Sequence, residues 1–171
     1  MKAHNASRIG ASASTALQCQ TNPPQRILVV EDEPDIRNLD IEVLRGSGFQ
    51  VDTAENGLVA LRLIDTGNYD LLIVEDEMKM VAGLELVSKL RSEDYMVPVI
   101  LVLETIPVEK PIRNPWPLIQ ALLFKPYAIT ELCRTVSEVL QAATKEAKYP
   151  LNSPTNWQGP ICSRWVAVLK M

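Results

Sequence analysis

Short apolar runs alternate along this chain with longer segments whose apolar residues recur every three or four positions. Two of the runs, 27–30 and 71–74, are apolar at every position and too short to form helices. Runs of this kind are typical of strands that are buried on both faces of a parallel sheet. Because such strands alternate here with helical patterns, the sequence predicts βαβ units and hence an α/β fold.

The whole pattern predicts a doubly wound sheet of five parallel strands. The predicted strands are 27–30, 49–53, 71–74, 97–103 and 121–124. The predicted helices are one that can begin at Pro34 and is ended by Gly46 and Gly48, one at 58–64, one that follows Gly83, and one from 129 to about 144. In the first helix, Ile36, Leu39 and Val43 form an apolar stripe that we expect to face the core. Between the fourth and fifth strands, where a further helix is due, prolines occur at positions 107, 111, 115 and 117. An interior proline costs a helix about 3 kcal/mol, so we expect this helix to be disrupted.

Composition divides the chain into three regions. Residues 1–25 are rich in Ala, Ser, Asn and Gln and lack apolar periodicity, which predicts a flexible N-terminal arm. The folded domain is predicted over 26–144, and 145–171 is a C-terminal tail whose role the sequence does not indicate. Beside the proline-rich connection, Trp116 and Ile119 are candidates for a docking surface, with buried packing of both as the alternative.

Charge and cysteine content limit the classes of function. Residues 27–140 carry 20 acidic and 10 basic side chains, a net charge of −10. A surface of this sign repels a phosphate backbone, so we expect no nucleic-acid binding. Three scattered cysteines indicate reduced thiols in a cytoplasmic protein. No apolar run approaches the roughly 18 residues of a membrane span, so we expect no membrane association.

Charged side chains follow three of the predicted strands, where each strand ends. They are Glu31, Asp32 and Glu33 after the first strand, Glu75, Asp76 and Glu77 after the third, and Lys125 after the fifth. The carboxyl ends of parallel strands meet at one edge of a sheet, where ligands bind. Carboxylates packed together repel one another unless a cation intervenes, and Mg²⁺ is a natural occupant. The alternative for each triplet taken alone is an acidic strand end that faces water.

Four segments together resemble a known family, the receiver domain of bacterial two-component response regulators. They are ILVVEDEP at 27–34, Asn56-Gly57, YDLLIV at 69–74 running to GLEL at 83–86, and FKPY at 124–127. The resemblance covers residues 26 to about 142. It implies the flavodoxin-like receiver fold with strand order 2-1-3-4-5. It also implies an acidic pair that binds Mg²⁺, an Asp that accepts a phosphoryl group from a histidine kinase, and a lysine, in a commonly cis Lys-Pro bond, that contacts the phosphoryl oxygens.

Carried onto this chain, the resemblance implies that Glu31 and Asp32 are the acidic pair and that Lys125 is the lysine. The phosphoacceptor position departs from the family, because the spacings to Gly83 and to Met78 both lead to Glu75 and not to an Asp. Glu75 is also a candidate third metal ligand. Asp76 is the alternative acceptor. It requires a one-residue slip of the third strand, which would exchange the two faces of that strand.

The family's switch residues also differ in this chain. Counting 22 residues back from Lys125 leads to Leu103, which has no hydroxyl, and Thr105 lies two residues further on. The aromatic position three residues before the lysine is Leu122. The Thr–aromatic relay of the family is therefore expected to be missing.

Three hypotheses of function follow. The first is a single-domain, non-enzymatic signalling module that acts independently of phosphorylation by binding a histidine kinase, a phosphotransfer protein or another regulator, in an oligomeric state that the sequence leaves open. The second is a conventional phosphorelay receiver that accepts a phosphoryl group at Asp76 or Glu75. The third is a small Mg²⁺-dependent phosphotransferase or hydrolase. The chain has no G-x-x-x-x-G-K-[ST] loop, and its one histidine, His4, lies in the arm, which disfavours the third.

Overall fold

A computed structural model describes residues 24–105 and 119–148, and within these residues five strands form one sheet. The strands are β1 Arg26–Val30, β2 Gln50–Ala54, β3 Leu71–Glu75, β4 Val99–Leu103 and β5 Ala121–Phe124. Their order is β2-β1-β3-β4-β5, and each neighbouring pair is parallel. The predicted fold class and strand order are therefore confirmed.

Helices cover both faces of the sheet. They are α1 Pro34–Gly46, α2 Gly57–Thr66, α3 Gly83–Ser92 and α4 Ile129–Lys148. Buried residues of α1 and α4 form one apolar core with the sheet, which we call the α1/α4 layer. Buried residues of α2 and α3 form the other, the α2/α3 layer. Strand side chains alternate between the layers, so that Ile73 lies in the first and Val74 in the second.

Local sequence accounts for the starts of the first two helices. Pro34 occupies the first turn of α1, where its missing N–H and its restricted φ angle suit a helix. Asn56 caps α2, because its side-chain oxygen accepts a hydrogen bond from the Val59 N–H at 3.0 Å.

Two details of the helices were predicted wrongly. The apolar stripe of α1 does not include Leu39, which is 49% exposed, whereas Asp40 is only 2% exposed. The last helix continues to Lys148 and does not end near Thr144. No glycine or proline interrupts the sequence before Pro150, and helices usually end at or before the residue that precedes a proline. Residues 145–148, predicted as tail, therefore belong to α4.

Several predictions fall on residues outside the described ranges. These are the arm up to residue 23, the disrupted helix with its prolines and Trp116, and the tail from residue 149. Ile119 is described, and it is buried against the α2/α3 layer, in line with the packing alternative. Among the described helices, none is both long and apolar enough to cross a bilayer.

Candidate functional site

Strand register brings three charged side chains to one edge of the sheet. Glu31 follows β1, Glu75 is the last residue of β3 and Lys125 follows β5. Each lies two residues after a strand residue whose side chain belongs to the α1/α4 layer, namely Val29, Ile73 and Leu123. Because side chains alternate along a strand, the three charged groups continue on that same side of the sheet.

The three side chains form a buried ion triad. The Lys125 ammonium lies 3.0 Å from Glu31 Oε2 and donates a hydrogen bond to Glu75 Oε1. The side chains of Lys125, Glu31 and Glu75 are 12%, 3% and 5% exposed. The other Glu31 oxygen accepts a hydrogen bond from the Glu33 N–H at 3.1 Å. Two carboxylates that repel each other therefore share one cation in a site from which water is largely excluded.

The acidic residues also fit a hard divalent cation. Carboxylate oxygens of Glu31, Asp32 and Glu75 lie within 4.8 Å of one another, and oxygen is the ligand that Mg²⁺ prefers. Glu75 Oε2 is buried and has no hydrogen-bond partner among the described residues. An unsatisfied buried acceptor costs about 1–3 kcal/mol, which a bound cation would relieve. The residues present are thus compatible with Mg²⁺, although the Lys125 ammonium competes for two of the three carboxylates.

Burial and mutual repulsion control protonation in the ion triad. Burial raises the pKa of Glu75 to about 7, the nearby Glu31 carboxylate adds to the rise, and the Lys125 ammonium only partly opposes it. Burial works to lower the pKa of Lys125, but its hydrogen bonds to Glu75 and Glu31 outweigh that effect and raise it. Near neutral pH, the Lys125 ammonium therefore stays charged while Glu75 carries a proton in part of the molecules.

We predict that this proton makes stability depend on pH. A Glu75 pKa raised from 4.5 to about 7 gives stability that is fully present below pH 4.5 and is lost as the pH rises through 7. In metal-free buffer, Glu75→Gln should remove this component. The free energy of unfolding of Glu75→Gln minus that of the unmodified protein should therefore rise by up to about 3 kcal/mol from pH 4.5 to pH 8. Urea unfolding at several pH values measures the difference.

Exposed Glu42 provides the control for that experiment. Glu42→Gln removes one carboxylate outside the ion triad, so it reports the effect of changing the net charge by one. The raised pKa would be contradicted if the difference in free energy of unfolding between Glu75→Gln and the unmodified protein stayed constant across this pH range.

The Asp76 carboxylate is turned away from the ion triad. Its Oδ1 accepts a hydrogen bond from the Leu84 N–H at 2.9 Å, in the first turn of α3. The Asp76 N–H donates to the Val102 carbonyl at 2.9 Å, which continues the pairing of β3 with β4. A carboxylate at a helix N-terminus is stabilised by the free N–H groups there. This register places Glu75, and not Asp76, beside Lys125.

The positions that correspond to the family's switch residues are Leu103, Thr105 and Leu122. The Lys125 N–H donates to the Leu103 carbonyl at 2.8 Å, so Leu103 adjoins the ion triad, and its buried side chain packs in the α2/α3 layer. Thr105 is exposed, and Leu122 packs partly buried in the same layer. The Lys125-Pro126 peptide bond is cis, as the family resemblance implies.

Sequence reasoning missed two polar contacts near the site. The Tyr127 hydroxyl donates to Asp40 Oδ2 at 2.9 Å, and Arg37 Nη1 donates to the backbone carbonyls of Glu31 at 2.7 Å and Asp32 at 3.3 Å. The available signal was a helical face drawn one residue further along α1. That face contains the buried Leu44 and, four residues before it, Asp40.

Comparisons with known proteins agree with this geometry. The sequence model of the response regulator receiver domain matches residues 27–137. The transcriptional regulatory protein CusR of Escherichia coli K12 is 33% identical over 116 residues, which cover 68% of this chain and 51% of CusR. PrrA of Mycobacterium tuberculosis, also a transcriptional regulatory protein, is 31% identical over 136 residues, which cover 80% of this chain and 58% of PrrA. The chain thus spans about half the length of these curated relatives.

Solved structures are similar as well. The response regulator TrrA of Thermotoga maritima, determined in complex with Mg(2+)-BeF, is 36% identical with a TM-score of 0.61, and the match covers 67% of this chain and 98% of TrrA. TrrA in a complex with the histidine kinase ThkA matches with a TM-score of 0.60 at 36% identity, over 68% of this chain and 98% of that one.

Proposed function

The chain belongs to the response regulator receiver domain family, and we propose that it is a two-component signalling module whose state does not depend on phosphorylation. The observation that carries this proposal is the ion triad. In this family the lysine contacts phosphoryl oxygens, whereas here Lys125 already bonds to Glu75 and Glu31. A carboxylate that reaches the lysine supplies part of the negative charge that a phosphoryl group would bring.

The position of Glu75 supports independence from phosphorylation. Phosphoryl transfer depends on placing the attacking oxygen in line with the leaving group, and a misplacement of about 1 Å can cost roughly a hundredfold in rate. Glu75 is one methylene longer than the Asp that the family uses. The Asp76 carboxylate, the other candidate acceptor, bonds to the start of α3 instead. Neither side chain therefore has the arrangement that efficient acceptance of a phosphoryl group needs.

Glu31, Asp32 and Glu75 would hold a Mg²⁺ ion at this site. When bound, the ion would supply positive charge that offsets the repulsion among the carboxylates and satisfies the buried Glu75 Oε2. Because Lys125 bonds to two of these groups, we propose that Mg²⁺ binding is weak and that the triad persists without the ion.

Signalling would proceed through protein contacts and without turnover of a substrate. Receiver domains are signalling modules, and the similar TrrA protein is known in a complex with a histidine kinase. A histidine kinase, a phosphotransfer protein or another regulator is accordingly the proposed class of partner. The net negative charge of 27–140 argues against nucleic acid as a direct partner of the domain.

An amide NMR titration with Mg²⁺ and then beryllofluoride, which imitates a phosphoryl group on a carboxylate, tests the proposal. We expect the unmodified protein to show no beryllofluoride response at 101–105 and 119–127. Glu75→Asp, which restores the family's side chain at the acceptor position, should respond there. If the switch has been lost altogether, these residues will respond in neither protein. That result is also expected of a module that acts independently of phosphorylation.

Large beryllofluoride shifts in the unmodified protein would contradict the proposal and favour a conventional phosphorelay receiver. Asp76→Asn is the matched variant for that outcome. If the response survives Asp76→Asn, Glu75 is the acceptor, and if it disappears, Asp76 is.

A further inference from the structure

Asp40 is a buried carboxylate that packing does not explain. It lies on the core side of α1 with 2% of its surface exposed. Within residues 24–105 and 119–148, the Tyr127 hydroxyl is the one side-chain group that donates a hydrogen bond to it. Burying an ionisable group costs several kcal/mol unless it is paired, and an apolar residue of similar volume at such a position is often more stabilising. A position of this kind in an apolar layer is a candidate for a role beyond stability.

The Asp40–Tyr127 hydrogen bond connects the ion triad to α1. Tyr127 lies two residues after Lys125 and packs against the α1/α4 layer, so one short segment carries both the ammonium and the hydroxyl. Arg37, one turn before Asp40, bonds to the backbone carbonyl of Glu31 at 2.7 Å. Helix α1 is thus attached near the triad at two points. One is the Tyr127 side chain, two residues after Lys125, and the other is the backbone carbonyl of Glu31.

The charges of the triad act on both partners of this hydrogen bond. Burial raises the pKa of Asp40, while the Tyr127 hydroxyl and the Lys125 ammonium oppose the rise. Burial also raises the pKa of Tyr127, and the Asp40, Glu31 and Glu75 carboxylates add to it. The charged groups of the ion triad are therefore close enough to act electrostatically on both ends of the bond between Tyr127 and α1.

We propose that Tyr127 and Asp40 are positioning residues that hold the Lys125 segment in place and connect the ion triad to α1. This route runs through the α1/α4 layer. The positions of the family's Thr–aromatic relay hold Leu103 and Leu122, which pack in the opposite layer and have no polar atom to pass on a change. The inference rests on the proposed function in one respect, since it takes the ion triad as the place where a signal enters the domain.

An NMR double-mutant cycle tests the route. Glu75→Gln replaces one carboxylate of the ion triad with a neutral amide. The amide shifts that it causes are measured first in the otherwise unmodified protein at pH 8, where Glu75 is mostly ionised. We expect shifts at 124–129 and also along α1 at 36–44. The same substitution is then made in a Tyr127→Phe background, where the shifts at 36–44 should fall at least twofold while those at 124–129 persist.

Tyr69→Phe is the matched control, because Tyr69 also donates to an aspartate carboxylate, that of Asp52 at 3.1 Å, and packs against the opposite layer. In that background the α1 response should be unchanged. Asp40→Asn keeps an acceptor for the Tyr127 hydroxyl and should preserve the response. Asp40→Leu should lower it at least twofold, as Tyr127→Phe does, because Arg37 still bonds to the Glu31 carbonyl. Asp40→Leu also breaks the hydrogen bond from the helix side, so the test stands if Tyr127→Phe does not fold.

Two results would overturn the inference. One is an α1 response to Glu75→Gln that is as large in Tyr127→Phe and Asp40→Leu as in the unmodified protein. The other is a response confined to 99–105 and 121–124. No phosphoryl analogue is added in these measurements, so their failure leaves the beryllofluoride test of the proposed function unaffected.

Discussion

Lys125→Met should lower the free energy of unfolding by about 3 kcal/mol or more at pH 8. The substitution keeps much of the side-chain volume but removes the cation that two buried carboxylates share. Breaking a buried ion pair by removing one partner typically costs about 3–5 kcal/mol, because the remaining charge is left without compensation. Here two carboxylates would be left facing each other. Urea unfolding followed by circular dichroism measures the loss.

The pH dependence of that loss has a definite sign. Without the ammonium, the pKa of Glu75 in the folded protein must rise further, because burial and the repulsion from Glu31 act unopposed. A raised folded-state pKa gives stability at low pH that disappears as the pH increases. The deficit of Lys125→Met should therefore shrink toward pH 5 and widen toward pH 8.

Exposed Arg134 serves as the control for Lys125. It forms an ion pair with Glu138 at 2.9 Å, one turn along α4, and both side chains are about half exposed. Arg134→Met should cost only about 0.3–0.5 kcal/mol. Adding Glu75→Gln to Lys125→Met should recover much of the loss, since one buried charge then remains in place of two. Equal and small losses of stability in Lys125→Met and Arg134→Met would show that the triad is not a buried charge cluster.

Gly83→Ala should destabilise the protein by about 3 kcal/mol and displace the end of β3. A Cβ atom at this position would overlap the carbonyl oxygen of Glu75 and lie 2.9 Å from the Cα atom of Asp76. These are backbone atoms at the centre of the site, so the clash cannot be relieved by rotating a side chain. Overpacking of this kind typically costs about 1–3 kcal/mol, and a clash with backbone belongs at the upper end of that range.

Gly46→Ala is the matched control for Gly83→Ala. Gly46 also lies in a helix, at the end of α1, and a Cβ atom there would meet nothing within 4 Å. Alanine in a helix is favoured over glycine by up to about 1 kcal/mol, so this variant should be as stable as the unmodified protein or more so. If Gly83→Ala behaved in the same way, the close approach of α3 to the end of β3 would be disproved.

Local sequence accounts for most of the architecture. Each strand was predicted to within two residues. For β1, β3 and β4 the reason is an apolar run of four or five residues, which reports burial on both faces without reference to the rest of the chain. The end of α4 was missed by four residues, since the pattern alone does not mark where a solvated helix stops. The error at Leu39 and Asp40 had another cause. Hydrophobicity placed leucine inside, whereas a hydrogen bond to a residue 87 positions away stabilises the aspartate there.

The candidate site was predicted residue by residue, and Glu31, Asp32, Glu75 and Lys125 do come together. Their roles in binding a metal or a phosphoryl group remain predictions. The sequence favoured Glu75 beside the lysine but left Asp76 as the alternative, because the two are adjacent at the end of β3 and a one-residue slip exchanges them. The pairing of β3 with β1 and β4 places Glu75 toward the α1/α4 layer, and the Asp76 side chain instead accepts a hydrogen bond from the first turn of α3.

Strand and helix positions, the acidic and basic residues at the strand ends, and the family of the chain were all legible in the order of amino acids, because each depends on contacts among near neighbours or on a local motif. The ion triad, the orientation of Asp76 and the Asp40–Tyr127 bond were decided by the folded arrangement. Each of them joins residues that are far apart in sequence, and the direction of each side chain depends on strand register and helix packing. A buried charge is stable only where the completed fold supplies its partner, and no segment of the sequence specifies that partner alone.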